Sequence, residues 1–239
     1  MSVLGKAFDK SGRKALIAYV TVGYPDVETT LRLVPLLAEN GCDVVELGIP
    51  FSDPLADGVA IQRTSQVALQ QRITPRVCLD AAAQLSRTTE VPLVFMSYYN
   101  PILRMGLRGF CEASFESGVS GLIVPDLPPD EGEELGKACE AHGIDLVYLV
   151  SPSTPDKRLE YVARRSRGFL YLVSLTGVTG ARATIGDGLE EFIARTRLVC
   201  SLPLCVGFGI SSPAQARQAA NHADGVIVGS RLLQLVAED

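Results

Sequence analysis

The chain has little of what most enzyme signatures are built from. Only two of its 239 residues are histidine, His142 and His222, and neither has ligand partners at metal spacing, so no structural metal is expected. Its six cysteines (Cys42, Cys78, Cys111, Cys139, Cys200 and Cys205) form no CxxC pair. Most of them lie in apolar or helical patterns, where a free thiol behaves as a small hydrophobe. No apolar run extends much beyond residues 15–20, which excludes a membrane span, and the N-terminal residues lack the apolar core of a signal peptide. A soluble, cytoplasmic protein is the expectation. Positive charge is also scarce: 22 Lys and Arg against 27 Asp and Glu leave a net charge of −5, with no basic surface for nucleic acid or anionic lipid. With no linker-like or low-complexity tract, one domain over residues 1–239 is expected.

What is present is regular alternation. Short apolar runs at 16–22, 44–47, 93–97, 121–124, 145–150, 169–173, 204–207 and 226–228 read as strands, separated by amphipathic segments. Thr74-Pro75, Thr154-Pro155 and Ser212-Pro213 each place a capping hydroxyl before a proline suited to the first helical position. Gly41 and Gly143 follow helical patterns as C-terminal stops, and Pro35 predicts a bend within the helix over 28–40. Eight strand–helix units with mostly apolar strands predict an α/β fold, a single (β/α)8 TIM barrel, with an open doubly wound sheet as the alternative. Catalytic groups of such a barrel gather at the C-terminal ends of its strands.

That end of the second strand carries the most informative segment, Glu46-Leu47-Gly48-Ile49-Pro50-Phe51-Ser52-Asp53-Pro54-Leu55-Ala56-Asp57-Gly58. Glu46 closes an apolar strand, where an acid is costly without a purpose or a partner. A loop stiffened by two prolines then returns a second acid, Asp57. Two neighbouring carboxylates can divide general acid and general base work, although Asp53 and Asp57 also suit local Asx turns. Tyr171 alternates with Phe169 and Val173 on the sixth strand and reads either as a barrel-filling aromatic or as a site residue. Gly177-Val178-Thr179-Gly180, Gly207-Phe208-Gly209 and Gly229-Ser230 follow the last three strands. Glycine lets backbone amides approach an anion, and a helix opening at Ser230 adds its dipole, so this order points to a phosphate site.

With the acid pair, the barrel order and these glycines, the chain resembles the tryptophan synthase alpha subunit family over almost its whole length. The 46–58 segment is the specific part of the match; the glycine motifs alone do not separate this family from other phosphate-binding barrels. The resemblance implies a lyase of L-tryptophan biosynthesis that cleaves indole-3-glycerol phosphate to indole and glyceraldehyde 3-phosphate by a retro-aldol step. Glu46 matches the principal acid/base, Asp57 the carboxylate that holds the indole N–H, and Tyr171 a tyrosine beside the glycerol portion. The resemblance lines the indole slot with Tyr19, Ile61 and Met96 and the phosphate site with Gly180, Phe208, Gly209, Gly229 and Ser230. Thr179 matches a loop threonine that bonds Asp57 when a lid over 177–188 closes. The resemblance also implies no metal or organic cofactor on this subunit and a beta-subunit partner carrying pyridoxal phosphate, two alpha chains with two beta chains. Asp53, Pro54, Asn100 and Pro128 fall in segments that would face that partner. The nine residues after Ser230 leave a shortened final helix.

Overall fold

The computed structural model describes residues 2–9, 12–174, 188–207 and 209–238. Its strands are β1 (Ala15–Thr21), β2 (Val44–Gly48), β3 (Leu93–Met96), β4 (Val119–Ile123), β5 (Asp145–Val147), β6 (Leu149–Val150), β7 (Leu170–Val173), β8 (Leu204–Gly207) and β9 (Gly225–Val228). They run parallel in the order β5-β4-β3-β2-β1-β9-β8-β7-β6. The two ends of that order, β5 and β6, are consecutive pieces of the chain separated only by Tyr148. They form one stave of the barrel, and the sheet closes through it. The continuous strand expected over 145–150 is therefore interrupted at Tyr148, whose N–H takes the Ser166 hydroxyl at 3.1 Å instead of a neighbouring strand.

The helices are α1 (Val3–Lys6), α2 (Val27–Glu39), α3 (Val59–Gln70), α4 (Pro75–Leu85), α5 (Tyr99–Met105), α6 (Leu107–Glu116), α7 (Glu133–Ala141), α8 (Asp156–Arg165), α9 (Leu189–Arg197), α10 (Pro213–Ala220) and α11 (Ser230–Glu238). Two of the three expected hydroxyl-proline starts hold: Thr74 and Ser212 cap α4 and α10 and accept from Val77 and Gln215 N–H. Thr154 does not cap α8. Its hydroxyl accepts from Ser151 N–H at 3.0 Å and closes the preceding turn, which leaves Pro155 at the cap. Helix α2 stays one element through Pro35. Gly41 and Gly143 follow α2 and α7 with φ of 90° and 69°, a left-handed geometry that relieves a helix end without a Cβ clash.

Strand alternation sorts the core into two bodies. Ala18, Val20, Val45, Leu47, Phe95, Leu122, Leu172 and Val206 face the helices, while Ile17, Tyr19, Val44, Val94, Met96, Ile123, Val147, Phe169, Tyr171, Cys205 and Ile227 fill the barrel. Leu4 of α1 joins that inner body and is fully buried, so α1 stoppers the N-terminal end. The final helix α11 packs against α3 and β1 and sends Leu233 into the same body. All six cysteines are free and buried. Among the described residues no helix is long and apolar enough to cross a membrane.

Candidate active site

Register places the inner residues in rows. Tyr19 stands beside Glu46, Glu46 beside Val94, Thr21 beside Gly48, and Gly48 beside Met96. Glu46 therefore enters the interior between Tyr19 and Val94, one row below the C-terminal rim. It is fully buried, and neither carboxylate oxygen has a hydrogen-bond partner among the described residues. Burial in this apolar wall pushes its pKa up to about 8, because nothing nearby compensates the lost hydration of the anion. At neutral pH Glu46 is a buried acid holding its proton.

Asp57 ends the loop that leaves β2 and precedes Gly58, the cap of α3. The loop is folded on itself by bonds from Leu55 N–H to the Asp53 carbonyl and from Asp57 N–H to the Pro54 carbonyl. Burial raises the Asp57 pKa to about 6, and a hydrogen bond from the Tyr98 hydroxyl opposes that rise. The two acids thus sit in different protonation states over a common range: Glu46 neutral, Asp57 ionised. Such a split lets one group give a proton while the other stabilises positive charge.

Tyr98 is the site residue that sequence reasoning missed. It lies just beyond β3, buried, with its ring 5.3 Å from that of Phe51. Its hydroxyl accepts from Ala56 N–H at 2.9 Å and donates to Asp57, so one side chain holds both the loop backbone and the carboxylate. The signal was available: Val94, Met96 and Tyr98 share a strand face by period-2 alternation.

The expected indole-slot residues Tyr19, Ile61 and Met96 meet in the inner apolar body together with Tyr171. Two glycines make room for the tyrosines. A side chain at Gly48 would collide with the Tyr19 hydroxyl, and one at Gly207 with the Tyr171 hydroxyl. Both phenols are buried, and burial, with carboxylate charge nearby, raises both well above the ordinary tyrosine range. They act as neutral hydroxyls.

On the far side of the rim, a Cβ at Gly229 would lie 3.1 Å from the Tyr19 Cβ, which brings the start of α11 close over β1. Ser230 opens α11 and is exposed, and Gly209 is exposed with φ of 78°. These positions follow the C-terminal ends of β8 and β9, the same end of the barrel as Glu46. Thr179, Gly180, Phe208 and the lid expected over 177–188, apart from Gly188, lie outside the described residues.

The four expected interface residues divide. Asp53 and Asn100 line one cavity of about 680 Å³ with Phe51, Arg104 and Met105, and Pro54 adjoins it. Pro128 lines a separate cavity of about 250 Å³ with Tyr148 and Arg158. Leu55, in the loop after β2, and Val59, the first residue of α3, are 93% and 82% exposed, apolar residues not singled out from the sequence.

The family model described as tryptophan synthase alpha chain matches residues 6–239. The tryptophan synthase alpha chain of Dehalococcoides mccartyi is 56% identical over 239 residues, covering 100% of this chain and 93% of that one. That of Chloroflexus aurantiacus is 48% identical over 237 residues, covering 98% of this chain and 89% of that one. Among solved structures, Mycobacterium tuberculosis tryptophan synthase superposes with a TM-score of 0.93 at 42% identity, covering 99% of this chain and 92% of that chain. The alpha subunit from Legionella pneumophila superposes at 0.91 with 36% identity, covering 100% of this chain and 90% of that chain.

Proposed function

The chain belongs to the tryptophan synthase alpha chain family, and from that premise we propose how its own residues cleave indole-3-glycerol phosphate to indole and glyceraldehyde 3-phosphate. Glu46, protonated at neutral pH, gives its proton to indole C3. The ring nitrogen becomes cationic, and ionised Asp57 accepts its N–H and stabilises that charge. The Glu46 carboxylate then takes the proton of the glycerol hydroxyl next to the ring. As the aldehyde C=O forms, the bond from that carbon to C3 breaks, and its electron pair returns to the ring to restore the indole. Glu46 ends protonated, ready for the next turnover.

A single observation carries this reading: a fully buried carboxyl group with no partner for either oxygen among the described residues, at the barrel end where a second acid is held by a tyrosine. Tyr171 is assigned to the glycerol portion, beside Glu46, and Tyr19, Ile61 and Met96 to the faces of the ring. The phosphate is assigned to backbone amides around Gly180, Phe208, Gly209, Gly229 and Ser230, with Thr179 on the lid as the latch to Asp57. The reaction is acid–base chemistry, so the chain is assigned no cofactor of its own; pyridoxal phosphate belongs with the beta partner that consumes the indole. The exposed apolar residues Leu55 and Val59, in the segment that follows Asp53 and Pro54, support docking of that partner on this part of the chain, and two alpha with two beta chains is the assigned assembly. Six free thiols suit a reducing cytoplasm.

The test is Glu46→Gln, assayed for indole release from indole-3-glycerol phosphate with and without a cognate beta subunit. Loss of a general acid/base is expected to lower kcat by ~10²–10⁴-fold in both settings. Near-full turnover would overturn the mechanism.

A further inference from the structure

Helix α3 matters to the site through its first turn, yet little within the helix fixes that turn in place. Asp57 and Gly58 lead into it, and Ile61 joins the inner body with Tyr19 and Met96. Gly58 caps the helix without a side-chain hydrogen bond, and the first turn holds no acid to meet the helix dipole. Its buried face, Ile61, Thr64, Ser65 and Ala68, carries one large apolar side chain, so burial alone anchors it weakly. A pair of buried hydroxyls supplies the rest. Thr64 meets Thr21, the last residue of β1, at 2.8 Å between their oxygens. The same Thr64 hydroxyl donates to the Ile61 carbonyl at 2.9 Å. One oxygen thus joins the end of β1 to the backbone of a slot residue. Both threonines are buried, so solvent does not compete for these bonds. On the exposed side of the turn, Gln62 Nε2 donates to the Asp57 carbonyl at 2.9 Å and ties it back to the loop.

We propose that Thr21 and Thr64 are positioning residues: their hydroxyl pair clamps the first turn of α3 to β1 and so holds Ile61 at the ring slot. Valine at either position would fill nearly the same volume. What the hydroxyls add is direction, because a hydrogen bond fixes distance and angle, whereas an apolar contact is non-directional and lets a helix slide. The two threonines act through Ile61 and not on the substrate. The proposal rests on the reading of Ile61 as a wall of the indole slot.

The test separates position from stability, since a merely structural role moves the two together. Thr21→Val and Thr64→Val each remove one hydroxyl at nearly constant volume. Each is expected to raise KM for indole-3-glycerol phosphate several-fold with a smaller change in kcat. Thr21→Val combined with Thr64→Val replaces the pair by an apolar contact of similar shape. Its melting temperature is expected to return towards that of the original chain, since no member of the pair is left without its partner, while KM stays raised. Thr64→Ser is expected to do the opposite: it loses a buried methyl group and some stability but keeps the bond, and KM holds. A KM that follows the melting temperature across these four variants overturns the proposal. Indole titrated into protein labelled at its isoleucine methyl groups keeps the two readings apart. The Ile61 signal is expected to shift in the original chain and to shift less in Thr21→Val. An Ile61 signal that ignores indole in the original chain overturns its place in the slot, and the clamp with it. One that responds equally in both proteins, with KM unmoved, overturns the clamp alone.

Discussion

Acids stand at both ends of the barrel, and they are treated in opposite ways. At the N-terminal end Asp43 accepts Leu16 N–H at 2.8 Å and pairs with Arg13, while Asp224 accepts Leu204 N–H at 2.8 Å and pairs with Arg197. Each carboxylate ties the start of one stave to the next and to a cation. At the C-terminal end Glu46 has no partner for either oxygen among the described residues, and among them Asp57 is held by the Tyr98 hydroxyl. Satisfied acids lower the energy of the fold; unsatisfied acids raise it and remain available to a substrate. The ends are not perfectly divided, because Asp145, low in the barrel, bonds Ser2 yet leaves its Oδ2 without a partner among the described residues. It sits where α1 closes the bottom, with Leu4 and Asp145 both against Gly168.

The strongest way to break the comparison is to remove one acid from each end. Asp57→Asn is expected to lower kcat/KM for indole-3-glycerol phosphate by ~10²–10³-fold, since it removes the charge opposite the developing ring cation, with the melting temperature held or raised. Asp43→Ala is expected to do the reverse. It leaves kcat near its original value and lowers unfolding free energy by about 2–4 kcal/mol, less than a fully desolvated pair because the Arg13 side chain is 49% exposed. Urea unfolding beside steady-state kinetics separates the two. An Asp43→Ala enzyme that loses turnover without losing stability would end the division.

A second change sharpens it by turning a catalytic acid into a gain in stability. Glu46 has a folded-state pKa of about 8 against an ordinary 4.5, so between those values the folded protein binds more protons than the unfolded chain. Stability therefore falls as pH rises across that window. Glu46→Gln has no proton to lose. Its advantage over the original chain is expected to be absent near pH 4, to grow with pH and to reach on the order of 5 kcal/mol by pH 8.5. Unfolding at three pH values measures it; a gap independent of pH would mean that the anion is compensated in the fold.

These contrasts were legible in the sequence to different depths. The eight staves followed from apolar runs and their spacing, because a buried parallel strand leaves that mark locally. Glu46 was legible because a carboxyl group at the end of such a run is costly, a local signal again. Tyr98 was passed over because its importance lies in what its hydroxyl reaches, the Ala56 amide and Asp57, forty residues back along the chain. The buried contact between the Thr21 and Thr64 hydroxyls was hidden for the same reason: the two are separated by 43 positions and meet only when α3 packs on β1. Thr154 shows the converse error. Its hydroxyl had two local uses, a cap and a turn, and the competition was settled by the bond to Ser151 that the Thr-Pro pattern does not encode.

The smallest expected effect tests whether the Tyr98 donor to Asp57 matters as the contrast between the two ends implies. Tyr98→Phe keeps the ring against Phe51 and removes only the hydroxyl, leaving Ala56 N–H without its acceptor. Loss of that bond is expected to lower stability by about 1 kcal/mol. The hydrogen bond from Tyr98 favours the ionised form of Asp57, so its loss must raise the Asp57 pKa above about 6. In the pH profile of kcat/KM, activity falls below the Asp57 pKa and again above that of Glu46, near 8. Tyr98→Phe should move the acidic limb upward by less than a unit and leave the basic limb in place.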